Sequence, residues 1–268
     1  MEPTLPTTGL CRNLAFNKSP APPPTQPDNA ADQAKQATMA DTAAGPTRPQ
    51  RRSSPLKNGY LILYNFVSAV AWATVLGRTV ALFALRGPHF VHLGVGDWTR
   101  WTQTMAAMEV LHALLGPLHP GVVRAPVFTT VMQVLSRFVL VWGVVYPFPW
   151  LARSTWYSSM LLAWSVTEVI RYSYFALNLS GFQPKPLTWL RYNTFFVLYP
   201  IGITSECVLI YYAAEPARQF GEVFPYVSYA ILAVYVPGSY ILYTYMMKQR
   251  SKVMRNLKAE EAGRSKTQ

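Results

Sequence analysis

Leu190-Arg-Tyr-Asn-Thr-Phe-Phe-Val-Leu-Tyr-Pro-Ile-Gly-Ile-Thr-Ser-Glu206 is an apolar stretch of membrane character that nevertheless carries Tyr199 and Glu206, with a Pro-x-Gly break, Pro200 and Gly202, between them. A carboxylate in hydrocarbon is expensive, so Glu206 needs a reason. Seven residues at about 100° each bring Glu206 back to within about 20° of Tyr199, so a helix presents both on one face. Pro200 removes a backbone donor and frees the carbonyl of Phe196, while Gly202 leaves room for another helix or a ligand. A kink of this kind also serves ordinary helix packing in membranes. The donor and acceptor on one buried face are what point to acid–base chemistry.

The composition around that stretch agrees with a membrane setting. Of the 268 residues 51% are hydrophobic and 13% charged, with the charges gathered at the ends. The mean hydropathy of +0.13 is low for a membrane protein because two polar tails dilute an apolar middle. Cys11 and Cys207 stand in a polar tail and an apolar run respectively, which argues against a disulfide framework. The net charge of +12 comes with no basic, aromatic-interleaved domain, so no nucleic-acid partner is expected. Basic ends flanking apolar spans are topology signals and contacts with anionic membrane lipid.

Residues 1–58 read as a disordered, Pro-rich cytoplasmic tail; residues 1–57 hold 10 of the 22 prolines and nothing periodic enough for a core. Six apolar stretches follow, at roughly 60–85, 101–118, 125–150, 156–179, 190–212 and 223–247, each near the ~20 residues that span hydrocarbon. The second is the weakest, being short and carrying Glu109 and His112. Short loops favour sequential antiparallel neighbours, so residues 59–247 are expected to form an all-α, polytopic six-transmembrane-helix bundle. Residues 248–268 form a basic tail. Each end holds seven Lys and Arg, and equal basic ends on one side require an even number of spans. Under six spans the cytoplasmic side carries 16 basic residues, with Arg124 and Lys185 in its loops, and the other side four.

Four arginines, Arg78, Arg137, Arg171 and Arg191, and three glutamates, Glu109, Glu168 and Glu206, fall inside these spans. Arg78 reads as a snorkelling side chain. Glu168 and Arg171 stand at i,i+3, a ready intrahelical pair that either holds the bundle or orients a site. Arg137 has no acid nearby in sequence and must find one on another helix, with Glu109, Glu168 and Glu206 as the candidates. Snorkelling alone accounts for Arg191. Histidines 89, 92, 112 and 119 form no metal motif, and the chain holds neither a Gly-rich phosphate loop nor a G-x-S-x-G elbow.

Several motifs, in order, carry a resemblance. Leu63-Tyr-Asn-x-x-Ser-Ala-x-x-Trp72, Thr130-x-x-Gln-x-x-Ser-Arg137, Trp164-Ser-Val-Thr-Glu-Val-Ile-Arg-Tyr-Ser-Tyr-Phe-Ala-Leu177, Leu190-Arg-Tyr-Asn and Leu198-Tyr-Pro-x-Gly-x-x-x-Glu206 lie between about Leu61 and Leu257. Together they resemble the very-long-chain (3R)-3-hydroxyacyl-CoA dehydratases, also called protein-tyrosine-phosphatase-like proteins. The resemblance implies a six-span protein of the endoplasmic reticulum membrane with both termini cytoplasmic. It would remove water from (3R)-3-hydroxyacyl-CoA to give trans-2-enoyl-CoA in the third step of fatty-acid elongation, with no metal or redox cofactor. Its partners would be the condensing enzyme, the ketoacyl-CoA reductase and the enoyl-CoA reductase of the cycle. The family's catalytic tyrosine and glutamate fall on Tyr199 and Glu206, and its supporting charges on Glu109, Arg137, Glu168, Arg171 and Arg191.

The alternative family name suggests a phosphatase or phosphotyrosine-binding protein, and a non-enzymatic membrane scaffold is the other alternative. The phosphatase-like motif Cys-x-x-Gly-x-x-Pro corresponds to Ala113-Leu-Leu-Gly116-Pro-Leu-His119, with alanine at the cysteine position and the proline displaced to Pro120. Without a thiolate that chemistry lacks its nucleophile. For the dehydratase, seven residues of helix rise about 10 Å, so Tyr199 and Glu206 would flank a substrate and not touch. A helix entering at Leu190 puts Glu206 about 24 Å deep, which calls for a cavity long enough for the pantetheine arm.

Overall fold

Why the chain is helical follows from its patterning: long apolar runs between glycine and proline stops, which in hydrocarbon must satisfy every backbone group internally. The computed structural model describes residues 55–118 and 127–265, and no strand occurs among the described residues. The expected disordered tail therefore lies, through residue 54, outside the described residues, as does Arg124.

Helix α1 (Pro55–Arg86) ends at Gly87, whose φ of 85° is open to glycine at little cost, with its N–H on the Phe83 carbonyl at 3.1 Å. A 3₁₀ turn, Pro88–Phe90, leads into α2 (Val91–Met105) and α3 (Ala107–Leu118). Helix α4 (Val127–Phe138) continues as a π-helical stretch, Val139–Val145, and a 3₁₀ turn, Leu151–Arg153, precedes α5 (Thr155–Leu179). Ser154 caps α5 by accepting from the Tyr157 N–H at 3.4 Å. The helix ends in a Schellman arrangement, with Gly181 at φ 87° and the Phe182 N–H on the Leu177 carbonyl at 2.9 Å. Helices α6 (Lys185–Asn193), α7 (Phe195–Ala214) and α8 (Phe224–Ser265) complete the body.

The core lies where α1, α2, the π-helical stretch, α5 and α7 meet, around Trp72, Val95, Leu140, Met160, Trp164 and Leu209. Helix α5 packs most extensively against α1 and next against α7. Helix α8 only borders this core, through the partly buried Ile231, Leu232 and Tyr235. Large apolar side chains such as Leu63, Phe66, Val197, Val234 and Val236 stay exposed, as lipid-facing positions require.

Among the described residues four helical segments are long and apolar enough to cross a membrane: Pro55–Arg86, Val127–Val145, Phe195–Ala214 and Phe224–Ala259. The second expected span differs from expectation. Its helix starts earlier, at Val91, and is interrupted at Ala106, and α2 turns Thr99, Thr102 and Gln103 inward. The last helix runs on through the basic segment to Ser265, since Met, Lys, Gln, Arg and Leu there are good helix formers.

Candidate active site

Pro200 and Gly202 do not break their helix; α7 runs through both, and the interruption falls at Thr194. Starting α7 at Phe195 places Pro200 in the second turn, where the only bond lost is the one to the carbonyl of Phe196. Two helices thus replace the single expected entry from Leu190, and Tyr199 sits near the start of the second.

Glu206 is 7% exposed, and each carboxylate oxygen has a neutral donor. Trp164 Nε1, from α5, donates to Oε1 at 2.8 Å, and the Tyr235 hydroxyl, from α8, donates to Oε2 at 3.0 Å. Tyr199 does not touch Glu206. Its hydroxyl donates to the Ser239 carbonyl at 2.9 Å, and its ring lies 5.9 Å from that of Tyr243. Tyr235 and Ser239 are one turn apart on α8, so that helix covers the same face of α7 that carries both candidate groups. On the α5 side the hydroxyls of Ser159 and Ser205 pair at 2.7 Å.

Gly202 stands between the two groups. A Cβ built there would lie 3.8 Å from Glu206 Oε1 and 3.8 Å from Ala163 Cβ. The carboxylate therefore reaches back one turn toward Tyr199, as helical side chains lean toward the N-terminus. Gly202→Ala makes only ordinary van der Waals contacts and is expected to fold normally, whereas Gly202→Leu fills the notch beside the carboxylate. Stability assays should leave the alanine variant unchanged, and turnover should fall further for leucine than for alanine.

The remaining charges form one connected chain along a single face of α5, at Trp164, Glu168 and Arg171. Arg137 finds its acid in Glu168, and its guanidinium lies 5.1 Å above the Trp164 ring. Glu168 also accepts from Arg171 Nε at 2.7 Å. Arg171 holds Glu109 through both terminal nitrogens at 2.7 Å, a fork geometry that matches a carboxylate. The Tyr172 hydroxyl donates to Glu109 as well. Two positive and two negative groups balance here, which is how ionised groups survive away from water. Arg78 is exposed on α1, in keeping with snorkelling. Arg191 stays outside the network: its guanidinium lies 5.2 Å over Phe175, and its Nε is buried without a hydrogen-bond partner.

Sequence reasoning brought out the charges but not the groups that hold Glu206. Trp164 had a signal, since it precedes Glu168 by four residues and so shares its face. Tyr235 had none among sixteen tyrosines. Trp164 touches both, its indole N–H on Glu206 and its ring under the Arg137 guanidinium. Trp164→Phe removes one hydrogen bond to a charged group, worth about 1.5–3 kcal/mol, and is expected to lower turnover between about tenfold and hundredfold. An unchanged rate would separate the network from the site.

At the cysteine position of the phosphatase-like motif, the Ala113 methyl is buried at 1% exposure in α3. It offers neither a nucleophile nor access.

A family model described as protein tyrosine phosphatase-like protein, PTPLA, matches residues 103–256. The chain is 41% identical over 209 residues to the probable very-long-chain (3R)-3-hydroxyacyl-CoA dehydratase of Schizosaccharomyces pombe, covering 77% of this chain and 98% of that protein. It is 37% identical over 221 residues to the dehydratase PASTICCINO 2 of Arabidopsis thaliana, covering 77% and 98%. It is 31% identical over 214 residues to very-long-chain (3R)-3-hydroxyacyl-CoA dehydratase 2 of Homo sapiens, covering 75% and 82%. No solved structure matches the chain.

Proposed function

Since the chain belongs to the PTPLA family of very-long-chain (3R)-3-hydroxyacyl-CoA dehydratases, we propose that Glu206 and Tyr199 perform its reaction. The protein is a hydro-lyase of very-long-chain fatty-acid elongation, converting (3R)-3-hydroxyacyl-CoA to trans-2-enoyl-CoA. Glu206 takes the proton from C2. The electrons of that C–H bond form the C2–C3 double bond, the C3–O bond breaks, and the hydroxyl leaves as water with the proton of Tyr199. The proton on Glu206 then returns to the phenolate through solvent, which restores both groups.

The observation that carries this assignment is the setting of Glu206: a buried carboxylate fixed by two neutral donors, with a side-chain-free notch at Gly202 on the side of Tyr199. Trp164 and Tyr235 orient the carboxylate without pairing its charge, so it remains available as a base. The ion network holds Trp164 and takes no proton itself. Purified protein in detergent should convert 3-hydroxyacyl-CoA to enoyl-CoA with no added cofactor. Failure to form enoyl-CoA would refute the reading.

We further infer six crossings, in the endoplasmic reticulum membrane, with both ends in the cytosol and with neighbouring elongation enzymes as partners. Beyond the four apolar segments, α5 supplies 25 residues whose polar face is occupied by the network, and α2 with α3 supplies the other crossing. In a cysteine-free background, Gln249→Cys should react with an impermeant maleimide from outside sealed microsomes, and Arg153→Cys only after permeabilisation. Labelling of Arg153→Cys in sealed vesicles would overturn this topology.

A further inference from the structure

The dehydratase reading puts the thioester beside Tyr199 and Glu206, but the nucleotide end of CoA is large, anionic and must stay in water. A groove at the far end of the same helices meets those needs. Lys185, Pro186 and Trp189 of α6 face Met254, Leu257 and Lys258 of α8 across a cavity of about 390 Å³. The two walls are held together where Arg250 Nε donates to Asn193 Oδ1 at 3.0 Å, its guanidinium lying 5.2 Å over Phe196. Trp189 is 58% exposed, so one face of its indole is available for stacking.

The charge pattern says what kind of occupant fits. From Ser180 to Asn193 and from Tyr243 to Ser265 the chain has eight Lys and Arg against two acids, Glu260 and Glu261. Helix α6 begins at Lys185, so the positive end of its dipole lies at this groove. Helix α8 also sets the distance. Ser239, which accepts from Tyr199, and Met254, which lines the groove, are fifteen residues or about 22 Å apart along it. An extended pantetheine arm bridges a separation of that order.

We propose that this groove binds the 3′-phospho-ADP end of CoA, with Lys185 and Lys258 on the phosphates and Trp189 stacked on the adenine. The arm then runs along α8 past Arg250 and places the thioester beside Tyr199. The inference rests on the dehydratase reading for its ligand. Stacking on an aromatic face and lysine contacts to phosphate are the usual way a nucleotide is held at a solvent-facing site.

The test uses full-length protein and two substrates with the same 3-hydroxyacyl group, one on CoA and one on N-acetylcysteamine, which lacks the nucleotide. Trp189→Ala and Lys258→Glu should each raise KM for the CoA substrate about tenfold or more. The same variants should leave kcat/KM for the truncated thioester unchanged. Equal losses on both substrates, or no change on either, would overturn the groove. The KM effect should persist in phosphatidylcholine nanodiscs; an effect that needs phosphatidylserine assigns the groove to lipid headgroups and also overturns the proposal. Calorimetric binding of adenosine 3′,5′-bisphosphate to the wild type, lost in Lys258→Glu, reads the groove without turnover. Failure of the dehydratase reading shows separately, as wild-type protein that turns over neither substrate.

Discussion

Glu206→Gln is expected to remain folded in the membrane and to lose dehydration by a factor on the order of 10²–10⁴, the range of one general acid–base group. The amide keeps the shape of the carboxylate. Its oxygen still accepts from Trp164, and its nitrogen can donate to the Tyr235 hydroxyl, which turns to accept, so both helix contacts of α7 survive. Only the basicity is lost. Tyr199→Phe should give a loss of the same order for the complementary reason, because it removes the proton for the leaving hydroxyl. Its structural cost is one neutral hydrogen bond to the Ser239 carbonyl, about 1 kcal/mol. Substrate affinity should change little in either variant. Turnover near the wild-type rate in either would remove that residue from the mechanism.

Glu168→Ala should be the most destabilising single change in the bundle. Glu168 is 2% exposed and lies between Arg137 and Arg171, so its removal leaves a guanidinium buried without a counter-charge. Breaking a buried pair on one side costs about 3–5 kcal/mol. That is a large fraction of the roughly 5–15 kcal/mol by which native domains are stable. Thermal unfolding in detergent and the yield of inserted protein both measure it. Arg137→Met combined with Glu168→Met should recover much of the stability, because Arg171 keeps Glu109 and an apolar pair replaces a desolvated one. Activity should stay low in that double variant, since the guanidinium above Trp164 is gone. A Glu168→Ala protein as stable as its parent would show that the network is dispensable to the fold.

The contrast between these two predictions reflects what could be read in advance. Glu206 was conspicuous because a carboxylate deep in an apolar stretch is rare whatever surrounds it. Arg137 was equally conspicuous, and its need for an acid on another helix follows from electrostatics alone. Which acid it meets does not. Glu109, Glu168 and Glu206 were equivalent candidates until the fold brought Arg137, at the end of α4, to Glu168 on α5, and the choice of Glu168 leaves Glu206 free of an ion pair.

By itself the sequence determined that the chain is helical with segments apolar enough to cross a membrane, that Tyr199 and Glu206 share a face, and which charges need compensation. These depend on local periodicity and on the cost of charge in hydrocarbon, both readable along one strand of text. The tertiary structure alone decided that Trp164 and Tyr235 hold Glu206, that the Arg137 guanidinium lies over the Trp164 ring, and that the helix interruption falls at Thr194. It also decided that α6 and the end of α8 close a basic groove. Each of these is a contact between helices, and the relative rotation and depth of packed helices is set by many small packing contacts that no short motif encodes.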